Sequence, residues 1–120
     1  MANILLLKNY TDNRGSLNVI EKNLPFEIKR VYYIYNVDNS VRGNHRHKHT
    51  MQAAICVKGS CIIDTNNGSE KNSFMLDNPN KCLLLYPEDF HSMYNFTNDA
   101  VLLVLASEYY NPNDYIYEKY

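Results

Sequence analysis

Short extended segments separated by turn residues are the feature that most constrains the fold of this chain. Turn-forming stretches such as DNRG, KGS and TNNGSE recur along it, at the roughly 8–12-residue spacing of all-β domains. The segments between them are rich in Val, Ile, Leu and Tyr, which favour strands, and no stretch keeps a helical period beyond about two turns. The pattern predicts an antiparallel sandwich or barrel. The candidate strands are Ile4–Lys8, Leu17–Glu21, Lys29–Val37, Gly43–His49, Gln52–Lys58, Ser60–Asp64, Cys82–Tyr86, His91–Phe96 and Ala100–Ser107.

One short helix is predicted near the C-terminus. Pro112 suits the first helical position after Asn111, and Asp114 would lie in the first turn.

Composition limits the classes of partner. The length of 120 residues predicts a single domain spanning 1–120, and a net charge of −1 without a basic block argues against a nucleic-acid partner. The apolar run Ile4–Leu7 is too short for a signal peptide or a membrane span. Cys56, Cys61 and Cys82 lie in apolar runs without CxxC spacing, so we expect buried, reduced thiols in a cytoplasmic protein.

The segment RGNHRHKHT places three of the four histidines at alternate positions. On a strand, a spacing of two puts His45, His47 and His49 on one face, whereas a helix would scatter them. We expect His45 and His47 to face a pocket and His49 to lie at the exposed end of the strand.

Two blocks of sequence resemble the paired motifs of the cupin barrels. His45 and His47 are followed by Gln52 and a glycine turn, and further on a proline precedes His91 and Asn95. The resemblance implies a double-stranded β-helix, or jelly-roll barrel, with a pocket in its mouth. Many cupins bind a metal through two His, a Glu and a third His. Gln52 stands at the Glu position and brings no charge to a divalent ion, so we expect no metal, although three imidazoles can hold zinc.

A closer resemblance covers nearly the whole chain. The fragments DNRGSL, PFEIKRVYYIY, RGNHRHK, GSC and VLASEYYNPNDYI occur in this order and resemble the sugar-nucleotide 3,4-ketoisomerases, cupins that rearrange dTDP-4-keto-6-deoxyglucose. The resemblance implies metal-independent homodimers that commonly exchange N-terminal strands. It also implies a role in making 3-amino deoxysugars for surface polysaccharides such as O-antigen. It assigns proton transfer to His45 and His47.

Histidine suits the chemistry of such an isomerisation. The carbonyl at C4 acidifies the C3 hydrogen of the sugar; its removal gives an enediolate, and a proton returned to C4 leaves the ketone at C3. A neutral imidazole with a pKa near 6.5 can take and return that proton, and alternate residues of a strand are about 6–7 Å apart. We predict a dTDP-linked 4-keto-6-deoxyhexose as substrate, a dTDP-3-keto-6-deoxyhexose as product, and no cofactor. Either His45 or His47 can be the base.

Other side chains are candidates for substrate binding. A guanidinium can hold a diphosphate by two contacts. On the strand Lys29–Val37, Arg30 shares a face with Tyr32, and Tyr33 and Tyr35 occupy the other face; either face can point inward. The candidate set is Arg14, Arg30, Arg42, Tyr33, Tyr35, Gln52 and His91.

Two alternatives stay open. The related 3,5-epimerases also have a cupin pocket and an RGxH stretch, but they normally run longer and rely on a His–Asp pair with a tyrosine acid. The second alternative is a metal-binding cupin, either an oxygenase or a small-ligand module.

Overall fold

The fold is all-β, as the turn pattern predicts. A computed structural model describes residues 1–120 and contains twelve strands and one 3-10 turn, Pro112–Asp114. The strands are β1 Asn3–Leu6, β2 Lys8–Asp12, β3 Gly15–Val19, β4 Arg30–Tyr35, β5 Arg42–His47, β6 Gln52–Lys58, β7 Cys61–Asn66, β8 Lys71–Leu76, β9 Lys81–Leu85, β10 Phe90–Tyr94, β11 Val101–Ala106 and β12 Tyr115–Ile116.

Two antiparallel five-stranded sheets enclose the core. The first has the strand order β1-β9-β6-β11-β4 and the second has the order β12-β5-β10-β7-β8. One cluster of buried side chains draws on both sheets, with Ala54 and Leu102 from the first and Ile63 and Met93 from the second. The two sheets therefore pack face to face, as in a jelly roll, and the predicted cupin fold class is confirmed.

Each of the nine predicted strands overlaps an observed one, with ends displaced by a few residues. The predicted Ile4–Lys8 is interrupted at buried Leu7, where β1 leaves the first sheet and β2 begins a separate hairpin. The prediction missed β8 because its sequence, KNSFML, begins with polar residues of low strand propensity. Pairing with β7 along its whole length overrides that preference.

β2 and β3 form a hairpin outside both sheets. They pair in register from Lys8–Val19 to Asp12–Gly15, and almost all of their side chains are exposed. The molecule accordingly measures 48 Å along its longest axis, against 33 and 26 Å along the others.

The predicted C-terminal helix is a single 3-10 turn. The side chain of Asn111 accepts a hydrogen bond from the backbone N–H of Asn113, and Pro112 occupies the first position. After this turn, β12 pairs with β5, so that Tyr115 lies opposite His47. The turn thereby brings the C-terminal segment to the histidine strand. No helical segment of the structure has the length and apolar character required to cross a bilayer.

Candidate active site

Three histidines meet on the inner face of the second sheet. His45 and His47 project in the same direction from β5, and His91 on β10 lies directly opposite His45. The ring centroids are 5.0 Å apart for His45 and His47, 4.8 Å for His45 and His91, and 6.1 Å for His47 and His91. One ring nitrogen of each residue lies within 4.8 Å of one ring nitrogen of the other two. His49 lies beyond the end of the strand and is exposed.

Gly43 allows β5 and β10 to approach closely enough to form this cluster. Its φ is +86°, a left-handed conformation that side chains disfavour, and a Cβ there would lie 2.9 Å from the carbonyl oxygen of His91. The pairing of β5 with β10 is irregular at this point. The glycine of the Arg-Gly dipeptide therefore positions His45 against His91.

The hydrogen bonds of the cluster define which ring nitrogens are free. Nδ1 of His45 lies 3.0 Å from the carbonyl oxygen of Gly43, and Nδ1 of His91 lies 3.1 Å from that of Asp89. Nδ1 of His47 lies 2.9 Å from a carboxylate oxygen of Asp114. Since these oxygens only accept, each Nδ1 carries a proton, which leaves each Nε2 of the neutral rings without one.

Burial keeps the imidazoles neutral. It lowers the pKa of His45 to about 4 and that of His91 to about 3, with repulsion from neighbouring histidines as a smaller cause. Burial also lowers the pKa of His47, although the hydrogen bond and charge of Asp114 oppose that shift. At neutral pH the three Nε2 atoms therefore carry lone pairs.

Asp114 orients His47 and was not predicted as a site residue. One carboxylate oxygen accepts from Nδ1 of His47 and from Oγ1 of Thr50, at 2.9 and 2.5 Å, and the other accepts from the backbone N–H of His49 at 2.8 Å. Burial tends to raise the pKa of Asp114, but these hydrogen bonds together hold it below the usual value. The carboxylate is therefore charged and fixes the tautomer of His47.

Aromatic and amide groups complete the cluster. The ring of Tyr115 lies 4.7 Å from those of both His45 and His47. Nε2 of Gln52 donates to the hydroxyl of Tyr32 at 2.9 Å, and burial raises the pKa of that hydroxyl. Oε1 of Gln52 and Nε2 of His47 are buried without a hydrogen-bond partner. A hydrogen bond from the protonated ring of His47 to the side chain of Gln52 raises the pKa of His47, so this pair of atoms can stabilise an imidazolium at the site.

The cluster opens into a cavity of about 270 Å³. Its lining includes Arg30, Arg42, Tyr32, His45, His91 and Tyr115. Sites that enclose a whole small molecule usually measure about 300–1,000 Å³. The cavity therefore suits one end of a larger ligand. The cationic side chains of Arg30 and Arg42 in its lining could bind an anionic group in the rest of that ligand.

The comparisons with known proteins decide the family. A family model described as FdtA: WxcM-like, C-terminal matches residues 2–120. The chain belongs to this family. The curated TDP-4-oxo-6-deoxy-alpha-D-glucose-3,4-oxoisomerase of Aneurinibacillus thermoaerophilus is 42% identical over 116 residues, which cover 94% of this chain and 84% of that protein.

Solved structures of 3,4-ketoisomerases are similar to this WxcM-like chain throughout. The enzyme from Helicobacter canadensis is 44% identical with a TM-score of 0.92, covering 98% of this chain and 90% of that one. A mutant of the Thermoanaerobacterium thermosaccharolyticum enzyme, solved with TDP-4-keto-6-deoxyglucose, is 40% identical with a TM-score of 0.94, covering 98% and 87%. The predicted resemblance and the isomerase class are confirmed.

An epimerase is more distant from the WxcM-like chain. The 3'-monoepimerase of Streptomyces bikiniensis is 19% identical with a TM-score of 0.83, covering 95% of this chain and 67% of that one. At that identity the likeness shows the fold alone.

The predicted binding residues of this WxcM-like protein divide into two groups. Arg30, Arg42 and His91 line the cavity, and Gln52 lies beside it through its bond to Tyr32. The guanidinium of Arg30 stacks over the ring of Tyr32 at 4.5 Å. These four predicted residues are therefore brought together with His45 and His47.

The structure places Tyr33 among the lining of this cavity, but not Arg14 or Tyr35. Arg14 lies at the tip of the β2–β3 hairpin and is bonded to Asp12 at 2.6 Å. Tyr33 and Tyr35 are 63% and 58% exposed, because the alternation of β4 that turns Arg30 inward turns their rings outward. The roles of Arg14, Tyr33 and Tyr35 in substrate binding stay predictions.

Proposed function

We propose that this chain converts TDP-4-keto-6-deoxyglucose into a TDP-3-keto-6-deoxyhexose by histidine-mediated proton transfer. The observation that carries the proposal is the cluster of three neutral imidazoles, two of which, His45 and His91, line one small cavity. The family of the chain, and the 42% identity of the chain to a TDP-4-oxo-6-deoxy-glucose 3,4-oxoisomerase, support this substrate.

His47 is the group that moves the carbon-bound proton. Its Nε2 takes the proton from C3, and the electron pair of the C3–H bond forms a C3–C4 double bond as O4 becomes negative. Asp114 accepts from Nδ1 throughout, so its charge stabilises the imidazolium while it exists. The same Nε2 then returns the proton to C4, and O3 becomes the carbonyl.

His45 carries the second proton, which must pass from O3 to O4. Its Nδ1 is committed to the carbonyl oxygen of Gly43, so Nε2 is the atom that accepts the hydroxyl proton from O3 and delivers it to O4. Because burial lowers the pKa of His45 to about 4, its protonated form releases the proton readily. The two steps together move one proton between carbons and one between oxygens, without a redox cofactor.

Cationic side chains hold the rest of the substrate. Arg30 and Arg42 line the cavity beside the histidines, where a guanidinium can bind diphosphate oxygens in two-point contact. The cavity of about 270 Å³ would take the hexose, with the nucleoside outside its mouth. Gln52 and His91 orient the sugar.

A second copy of the chain covers the exposed hairpin in the active homodimer. Leu6 at the end of β1 is 67% exposed, and Tyr10 and Leu17 in the hairpin are 51% and 58% exposed. An isolated two-stranded hairpin is marginally stable in water. Exposed apolar side chains of this kind mark association surfaces. In a dimer, Arg14, Tyr33 and Tyr35 would serve the partner's nucleotide or the subunit contact. A monomer in sedimentation analysis would contradict this.

We place the enzyme, as a single cupin domain of residues 1–120, in the cytoplasm. There it would serve the synthesis of 3-amino deoxysugars for surface polysaccharides such as O-antigen. The free, buried cysteines Cys56, Cys61 and Cys82 suit a reducing compartment.

The test is incubation with TDP-4-keto-6-deoxyglucose in D2O, followed by proton NMR. We expect the carbonyl to appear at C3 of the sugar. Deuterium entering at C5 without movement of the ketone would instead support the epimerase alternative. Turnover that disappears on metal removal and returns with Fe, Mn or Zn would support the metal-dependent alternative.

A further inference from the structure

We propose that Tyr32 is a further catalytic residue, whose hydroxyl donates a hydrogen bond to the sugar oxygen that becomes negative when the C3 proton is removed. The inference rests on the proposed function, because only a reaction that passes through an enediolate needs a donor at that oxygen. Tyr32 was not a predicted site residue.

Strand β4 places the side chain of Tyr32 in the wall of the cavity. Tyr32 is half-buried, whereas its neighbours on the strand, Val31 and Tyr33, are exposed. Its ring lines the same cavity as His45 and His91. The guanidinium of Arg30 packs over that ring at 4.5 Å. The hydroxyl is therefore carried into the histidine site on a ring that is packed on one face.

The hydroxyl of Tyr32 has an unused proton. A phenol hydroxyl can accept hydrogen bonds and can donate one. Its oxygen accepts from Nε2 of Gln52 at 2.9 Å, but no acceptor within the chain receives its proton. An amide N–H that donates to a hydroxyl polarises it and makes it a stronger donor in turn. The proton of Tyr32 is thus available to a ligand in the cavity.

Gln52 links this hydroxyl to the base. Nε2 of the amide donates to Tyr32, and the protonated ring of His47 can donate to the same side chain, whose Oε1 is buried and unpaired. The hydroxyl and the imidazole therefore lie on two sides of a single amide group. In the substrate, the C3 hydrogen and O4 belong to adjacent carbons, so one group can take the proton while the other contacts the oxygen.

Tyr32 acts as a neutral donor and not as a second base. Burial raises the pKa of its hydroxyl, and the positive charge of Arg30 opposes that shift only in part. The hydroxyl therefore keeps its proton at neutral pH, where a phenolate would repel the enediolate.

No proton leaves Tyr32 during the reaction. When His47 removes the C3 proton, the electron pair of the C3–H bond forms the C3–C4 double bond and O4 takes the negative charge. The hydrogen bond from Tyr32 to O4 strengthens at that moment and weakens again once O4 receives its proton from His45. A fixed donor of this kind stabilises the transition state more than the bound substrate.

The experiment compares Tyr32→Phe with the unmodified protein, with TDP-4-keto-6-deoxyglucose as substrate. The variant keeps the ring that Arg30 covers and removes only the hydroxyl. We expect kcat to fall by about 10²–10³-fold, the range for loss of one oxyanion donor, with a much smaller change in KM. Tyr94→Phe is the matched control. It removes a half-buried hydroxyl that donates to Asp64 at 3.1 Å on the other face of the sheet, and it should keep the original rate.

The pH–rate profile separates a donor from a residue that acts only through Gln52 on the pKa of His47. Loss of a donor should lower kcat on the plateau of the profile, whereas an effect on His47 alone would move the acidic limb and disappear above it. An unmodified kcat, a change confined to KM, or a loss confined to the acidic limb would each overturn the role of Tyr32 and leave the isomerase assignment intact. Failure of the unmodified protein to move the ketone would instead overturn the proposed function.

Discussion

The two faces of the second sheet carry cavities that differ in size and in chemistry. The inner one measures about 270 Å³, and a groove on the outer face measures about 590 Å³. In the outer groove, Asp64 accepts hydrogen bonds from Ser73 at 2.6 Å and from Tyr94 at 3.1 Å. Beside the inner cavity, Nε2 of His47 and Oε1 of Gln52 are buried and unpaired, and on the outer side Nε of Arg46, whose guanidinium stacks on Tyr120, is unpaired as well. Unpaired buried atoms therefore occur on both sides of the sheet, and the three neighbouring imidazoles, rather than volume or pairing, mark the reactive face.

The largest expected effect is the loss of an inner histidine. His47→Asn should lower kcat by about 10²–10⁴-fold, the range for loss of a general acid–base group, and His45→Asn should do the same. Sugar-nucleotide binding should be largely retained, because the arginines that line the cavity remain. NMR turnover and calorimetry measure the two effects.

His49→Asn, the same substitution on the exposed side of the cluster, is the control and should keep the original rate. Unmodified turnover in both inner variants would remove the proposed mechanism.

A smaller effect is expected from Asp114→Asn, which keeps the shape of the partner of His47 and removes its charge. We expect kcat/KM to fall by about 10–10³-fold, less than the roughly 10⁴-fold measured for the corresponding change in a catalytic triad. Asp114 raises the pKa of His47 against burial. Without it, the acidic limb of the pH–rate profile, below which the base is protonated, should move to lower pH.

Asp77→Asn is the control for that variant, since Asp77 pairs only with Lys81 on the surface. A lower rate with an unmoved acidic limb would show that Asp114 contributes to folding and not to the protonation of His47.

The inner histidines should also make stability depend on pH. Burial holds the pKa of His91 at about 3 in the folded state, whereas in the unfolded chain it is near 6.5. Below about pH 6.5 the unfolded state therefore binds more protons, and the free energy of unfolding falls as pH decreases toward 3. Each tenfold difference in proton affinity corresponds to about 1.4 kcal/mol, so a loss of a few kcal/mol is expected.

Urea unfolding at pH 7.5, 6, 5 and 4, values that span the expected window, measures this dependence. His91→Asn should flatten the curve, because it removes the titrating group and keeps a donor for Asp89. An equally steep curve in that variant would assign the dependence to other groups.

The histidines on the inner face of the second sheet could be predicted from the sequence, because their common orientation depends on local spacing. The period of two in β5 determines that His45 and His47 share a face, and the proline turn before His91 brings a third imidazole opposite them. Arg30 and Tyr32 share the inward face of β4 for the same reason. What the alternation cannot decide is which face of β4 meets the core, and this is why Tyr33 and Tyr35 were candidates.

Asp114 and Tyr115 were not predicted because their roles depend on long-range pairing. Asp114 bonds to His47 across 67 positions of sequence, and only the pairing of β12 with β5 brings Tyr115 to the histidines. The predicted C-terminal turn was the only local indication of this arrangement. It predicts where the chain changes direction but not which strand the following residues pair with. Of the hairpin, the turn DNRG and a strand overlapping β3 were predicted, but β2 was not, because its polar residues show no buried face.

The smallest expected effect is that of a substitution on the outer face of the second sheet. Ser73→Ala removes one of the two donors to Asp64 and should lower the free energy of unfolding by about 0.5–1.5 kcal/mol, the value of one hydrogen bond. Turnover should not change, since no proton of the reaction passes through this groove. Ser69→Ala, whose hydroxyl makes no hydrogen bond within the chain, controls for loss of a serine. A fall in kcat comparable with that of His47→Asn would place reactive chemistry on the outer face and contradict the assignment of the reaction to the three histidines.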